Sequence, residues 1–87
     1  MYALTRHGEW ISLRETDGSG YLIRGVDLGK VEATWICPGG ETGHEIVLAP
    51  DEFLHTHPEV ARVPGVGAAL RDLAFPATAS GSPTIRR

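Results

Sequence analysis

Four side chains that can bind zinc lie within a stretch of 21 residues: Cys37, His44, His55 and His57. Cys37 and His44 flank the same glycine-rich stretch, and His55 and His57 follow the next run of apolar residues. If those runs are strands joined by a loop, the two pairs come close together. Thiolate and imidazole are ligands that Zn²⁺ prefers in proteins. The set therefore suggests a metal site, and zinc is the only cofactor that the sequence indicates.

The spacing of these residues fits a structural role better than a metal site. There is no Cys-x2-Cys pair, and His-x-His is not the usual arrangement of zinc fingers. Cys37 continues an apolar alternation, and free cysteine commonly behaves as a small buried hydrophobe. Thr56 and Glu59 are spaced as a capping box, with Pro58 at a position that needs no amide donor. The capping box accounts for His57 without a metal.

A second candidate is the segment Val63-Pro64-Gly65-Val66-Gly67, which resembles the hairpin of helix-hairpin-helix DNA-binding modules. In that family a Gly-x-Gly turn offers backbone amides to a phosphate. The resemblance is confined to residues 59–73 and implies phosphate or DNA contact, with Arg62 and Arg71 as the basic residues. The alternative is a plain Pro-Gly turn between two short helices.

Catalytic motifs are missing from the sequence. No serine lies in a Gly-x-Ser-x-Gly turn, and no glycine-rich loop leads into a lysine and a helix. The sequence therefore favours a protein that is not an enzyme.

The charge balance disfavours nucleic acid as a partner. Residues 1–75 contain six of the eight Lys and Arg and all eleven Asp and Glu, a net charge of −5. Binding to nucleic acid depends on clustered basic residues that neutralise phosphates.

No apolar run reaches the roughly 18 residues of a membrane span. A single cysteine is consistent with a reducing compartment, so we expect a soluble cytoplasmic protein without membrane contact.

The elements expected to position these residues begin with extended runs separated by turn signals. The predicted strands are Tyr2–Arg6, Glu9–Glu15, Tyr21–Asp27, Lys30–Cys37 and Glu45–Leu48. Lys30–Cys37 has the clearest alternation, with Val31, Ala33, Trp35 and Cys37 on one face and Trp35 expected in the core. Gly25 marks a bulge or a close approach in its strand. Four or five such strands predict a small antiparallel meander, in the form of a curved sheet or an SH3-like barrel.

Helix signals follow the last strand. Pro50 and two acidic residues favour a helix start, and Pro64-Gly65 breaks the next helical element. Val66–Ala74 carries an apolar stripe typical of a short amphipathic helix. The sequence thus predicts one α+β domain over residues 1–75, followed by a flexible tail over residues 76–87, which is rich in Pro, Gly and Ser.

Two aromatic residues, Trp10 and Tyr21, are candidates for an exposed sheet surface. Trp10 alternates with Ile11 and Leu13, so it points away from them. Exposed aromatic side chains are favoured anchors for protein partners, whereas a covering helix would bury both residues. By elimination we expect an interaction or accessory module that uses a sheet face or edge. Its partner would be another protein or a second copy of the chain.

Overall fold

A computed structural model of the protein describes residues 2–75; residues 76–87, for which a flexible tail was predicted, lie outside the described part. The chain forms five strands and then three helices. The strands are β1 (Ala3–Arg6), β2 (Trp10–Arg14), β3 (Gly20–Asp27), β4 (Lys30–Ile36) and β5 (Thr42–Leu48). The helices are α1 (Pro50–Thr56), α2 (Pro58–Ala61) and α3 (Val66–Ala74).

The strands form one antiparallel sheet in the order β1-β2-β3-β4-β5, so each strand pairs with its neighbours along the chain. This confirms the predicted meander with helices after it. β1 and β5 do not pair with each other, and the sheet is open. The open sheet does not confirm the SH3-like barrel. No helix among residues 2–75 has the length and apolar character that a membrane span requires.

One face of the sheet, called the inner face here, carries the core. Ile11, Ile23 and Ala33 lie opposite one another across β2, β3 and β4 on this face. The buried core residues of the strands are Ile11, Leu13, Ile23, Val31 and Ala33, and those of the helices and of the connection between α2 and α3 are Phe53, Val60, Val63, Val66, Ala69, Leu70 and Ala74. Burial of these apolar side chains is the main force that holds the helices on the sheet.

The predicted helix starts are confirmed at Pro50 and Pro58, which occupy the first positions of α1 and α2. The capping box at Thr56 is wrong. Thr56 is the last residue of α1, and its Oγ1 lies 3.0 and 3.1 Å from the carbonyl oxygens of Glu52 and Phe53. Because this hydroxyl already donates within α1, it does not cap α2. The N-cap residue of α2 is instead His57, without a side-chain cap.

β4 ends one residue earlier than its alternation predicts. Pro38 cannot donate a ladder hydrogen bond, and the chain turns at Cys37. The Cys37 amide donates to the carbonyl of Glu41 at 2.8 Å, and the Gly40 amide donates to the carbonyl of Cys37 at 2.8 Å. Cys37 is therefore a half-buried loop residue at the start of the β4–β5 connection.

Candidate functional site

β5 is an edge strand, because within residues 2–75 it pairs only with β4. Six of its seven residues are exposed, including Ile46 at 41% and Val47 at 51%. The strand contains none of the proline and lysine residues that commonly protect sheet edges. The opposite edge, β1, has only four residues, and its Arg6 is paired with Asp72 of α3 at 3.1 Å. β5 is therefore the more accessible of the two edges.

A bulge shapes the first half of β5. Thr34 lies opposite Glu45, and Ile36 lies opposite Thr42, so β5 has one residue more than β4 between these pairs. As a result Thr42 and Glu45 line the same groove on the outer face of the sheet. His44 lines a different groove, on the inner face, together with Ile46.

The inner-face groove lies next to β5 and has a volume of about 190 Å³. It is lined by Tyr21, Ala33, Trp35, His44, Ile46 and His57. Trp35 shares the face of the core residue Ala33, yet it is half-buried and outside the core cluster. The prediction that Trp35 belongs to the core is therefore wrong. The inner face extends beyond the area that three short helices cover, and Trp35 lies in the uncovered part.

Tyr21 is the central ring of the groove. Its centroid lies 5.1 Å from that of Trp35 at an interplanar angle of 64°, and 5.4 Å from that of His57 at 83°. On the core side it meets Phe53 at 5.5 Å and 88°. Edge-to-face pairs of this kind stabilise one ring orientation. The aromatic side chains are thus held in place before any ligand binds.

Two hydrogen-bond partners lie next to Nδ1 of His57. The carbonyl oxygen of Phe53, at 3.0 Å, can only accept, and Oγ1 of Thr56, at 2.9 Å, can donate or accept. The tautomer with the hydrogen on Nδ1 satisfies the Phe53 carbonyl and leaves Nε2 as an acceptor. Nε2 makes no hydrogen bond to any residue of the described chain.

The electrostatic environment of the groove disfavours negative charge. Burial, and to a smaller extent the negative charge of neighbouring Tyr2 and Glu59, raises the pKa of Tyr21 to about 12. No ion pair with another residue of the described chain engages Glu41, Glu45, Glu52 or Glu59. The β5 strand and the helices beside it therefore carry carboxylates that are available to a basic partner.

The two aromatic residues predicted to bind a partner lie on opposite faces of the sheet. Tyr21 pairs with Leu13 across β2 and β3, on the inner face, and is half-buried. Trp10 points to the outer face, is 37% exposed, and stacks on His7 at 3.9 Å. They cannot form one binding surface. Tyr21 belongs to the groove, and Trp10 does not.

The predicted zinc ligands are divided between different places. His44 and His57 line the groove, whereas Cys37 and His55 do not. Among residues 2–75 no three His, Cys, Asp or Glu side chains are arranged to hold a metal ion. Of the four predicted ligands, the structure places His44 and His57 at the same groove, and Cys37 and His55 do not line it.

The Val63–Gly67 turn is anchored by its valines. Val63 and Val66 are buried in the core, between α2 and α3. Arg71 lies 3.9 Å from Asp51 of α1, so one of the two arginines suggested for phosphate contact already has an acidic neighbour. The packing of the valines accounts for the turn in structural terms.

Sequence reasoning missed Ile46 and the groove role of Trp35. The alternation of His44, Ile46 and Leu48 in β5 was a usable signal for Ile46, although the bulge hid how far the strand extends.

Comparisons of the chain with protein-family models, curated proteins and solved structures found no match.

Proposed function

We propose that this protein is an interaction module that binds an extended peptide segment of another protein by strand addition to β5. The observation that carries the proposal is the exposed edge of β5, which has no second partner strand within residues 2–75, beside a preformed aromatic groove. In strand addition, main-chain hydrogen bonds supply affinity, and alternate side chains of the added strand enter pockets that supply specificity.

The geometry of β5 suits this mode of binding. Alternate residues of an edge strand direct their amide and carbonyl groups toward a new neighbour. An added strand would place every second side chain on the inner face, beside Ile46 and the groove. The remaining side chains would face outward near Glu45 and Val47. Because Glu45 lies in β5 and Glu41 directly precedes it, a segment with alternating apolar and basic residues is the matching partner.

A different concave surface lies on the outer face and measures about 310 Å³. Its lining includes Arg24 and Glu32, which already form an ion pair at 2.9 Å. The pair neutralises two of the three charged groups that line that surface. Among residues 2–75 the outer surface is lined by no aromatic side chain, whereas Tyr21 and Trp35 line the inner-face groove, so the groove is the better site for a peptide.

The proposal can be tested with peptides selected from a random phage-displayed library against the isotope-labelled protein. We expect the selected peptides to protect the amides of β5 from hydrogen exchange. In an added strand, every second backbone amide points toward β5. We therefore expect N-methylation of that set of amides to abolish binding and N-methylation of the other set to be tolerated. Protection confined to β1 or to the region of Trp10 would overturn the proposal, as would tolerance of both methylation patterns.

Two variants with matched exposure locate the site. Ile46→Thr removes an apolar contact from the groove. Val26→Thr is the control: Val26 is 39% exposed, close to the 41% of Ile46, but it does not line the groove. We expect Ile46→Thr to weaken peptide binding about tenfold, which corresponds to about 1.4 kcal/mol. Val26→Thr and Trp10→Ala should leave the affinity unchanged. A loss in Trp10→Ala alone would assign binding to the outer face.

Binding of a second copy through β5 is the competing outcome. Sedimentation of the protein without peptide measures it directly. A concentration-dependent dimer whose β5 amides are protected would replace the peptide as the occupant of this edge.

A further inference from the structure

The groove has the dimensions of a site for one long side chain. Its volume of about 190 Å³ equals that of about six water molecules at roughly 30 Å³ each. Ala33 and Ile46 supply apolar contact, and Tyr21 and Trp35 supply aromatic surface. Among residues 2–75 no lysine or arginine lines the groove.

Three features of these walls favour a cation over an aliphatic group. Aromatic faces attract a guanidinium or ammonium group within about 6 Å of the ring centroid. The Glu59 carboxylate acts on Tyr21 through space, so the electric field at this ring favours positive charge. His57 also lines the groove, and in the tautomer with the hydrogen on Nδ1 its Nε2 accepts a hydrogen bond from a ligand that donates one.

Resting on the proposed function, we infer that the groove takes an arginine or lysine side chain of the added strand. The aliphatic stem of that side chain packs on Ala33 and Ile46, and its charged end lies against Trp35 and Tyr21. Long basic side chains commonly bury their stems in this way while the charged end keeps polar partners. Arginine fits best, because a guanidinium group donates in several directions and stacks on aromatic rings.

The direct probes are N-acetyl-arginine methylamide and two analogues, citrulline and norleucine, in the same blocked form. Citrulline keeps the shape of arginine without its charge, and norleucine keeps only an apolar stem. Nuclear magnetic resonance of the Trp35 indole reports binding at the groove, and the Trp10 indole reports the outer face. We expect the arginine compound to bind about threefold to fivefold more tightly than either analogue and to shift Trp35 selectively.

Matched variants separate ring chemistry from folding. With binding followed through the ring of Tyr21, which also lines the groove, Trp35→Leu should abolish the preference for arginine, whereas Trp10→Leu should retain it. Where Trp35→Leu does not fold, Glu59→Gln serves instead, because Glu59 is exposed. We expect Glu59→Gln to weaken binding of the arginine compound about twofold and to reduce its salt dependence, with Glu9→Gln as the control.

The outcomes distinguish this inference from the proposed function. If norleucine equals arginine, both as the free compound and within a selected peptide that protects β5, the cation site is refuted and strand addition stands. If the arginine compound shifts Trp35 while no peptide protects β5, strand addition is refuted and the cation site stands. Equal shifts of Trp10 and Trp35 by all three compounds would overturn the inference.

Discussion

The Trp35 indole lies against the backbone of Gly43 in the neighbouring strand, where a Cβ atom on residue 43 would sit 3.0 Å from Cδ1 of the ring. We therefore expect Gly43→Ala to displace the indole and to lower the free energy of unfolding by about 1 kcal/mol through overpacking. In a Trp10→Phe background, Trp35 is the only tryptophan in the sequence, so its fluorescence maximum reports the displacement.

Gly39 provides the control for this prediction. It lies in the loop that leads to β5, and a Cβ atom there would meet nothing within 4 Å. Gly39→Ala should leave the fluorescence unchanged and should not lower the stability. Equal effects of the two substitutions would show that Gly43 does not set the position of Trp35.

A closer backbone contact joins β3 to α3. A Cβ atom on Gly25 would lie 2.2 Å from the carbonyl oxygen of Leu73, and no side-chain rotation relieves a contact between two backbones. We expect Gly25→Ala to separate the helix from the sheet and to cost about 3 kcal/mol, measured by urea unfolding. A variant with wild-type stability would contradict the close packing of α3 on this strand.

The opposite result is expected at Gly67, near the start of α3. A Cβ atom there would make only ordinary contacts, 3.7 Å from Arg71 and 3.9 Å from Leu54. Alanine also restricts the unfolded chain more than glycine does. Gly67→Ala should therefore raise the free energy of unfolding by about 0.5 kcal/mol, seen as a higher urea midpoint with an unchanged slope. A loss of stability would show that residue 67 tolerates no side chain.

Much of the fold could be predicted from local patterns. The alternation in β2 to β4 reflects a sheet with one buried face, and the apolar stripe of α3 reflects a helix on that face. The role of Gly25 followed from its place within a strand: both a register shift next to it and a close approach to α3 are present. These features depend on neighbours in sequence or on the period of one element, so one sequence suffices to find them.

The candidate site could not be predicted in the same way. Alternation places Trp35 on the inner face, but it does not tell where the helices stop covering that face. Tyr21 and His57 meet only because α1 ends beside β3, a contact between distant parts of the chain. The capping-box prediction failed for a related reason, because Thr56 fits two local hydrogen-bond patterns and the length of α1 decides between them.

Tyr21 gives the protein a pH dependence of known sign. The pKa of tyrosine is 10.0 in the absence of burial, and in the folded protein burial raises the pKa of Tyr21 to about 12. The stability that the protonated hydroxyl contributes is fully present below pH 10, and it is lost as the pH rises toward about 12, because the unfolded chain ionises first.

Tyr21→Phe keeps the ring and removes the ionising group. We expect this variant to lose less stability than the wild type between pH 10 and about pH 12, as measured by urea unfolding at a series of pH values. Because both proteins retain lysine and Tyr2, subtracting one pH profile from the other removes the contribution of those groups. The ultraviolet absorbance of tyrosinate should show one group fewer ionising at the upper end of this range. Parallel losses in the two proteins would mean that Tyr21 is open to water, and the groove would then lack the closed aromatic wall on which cation binding depends.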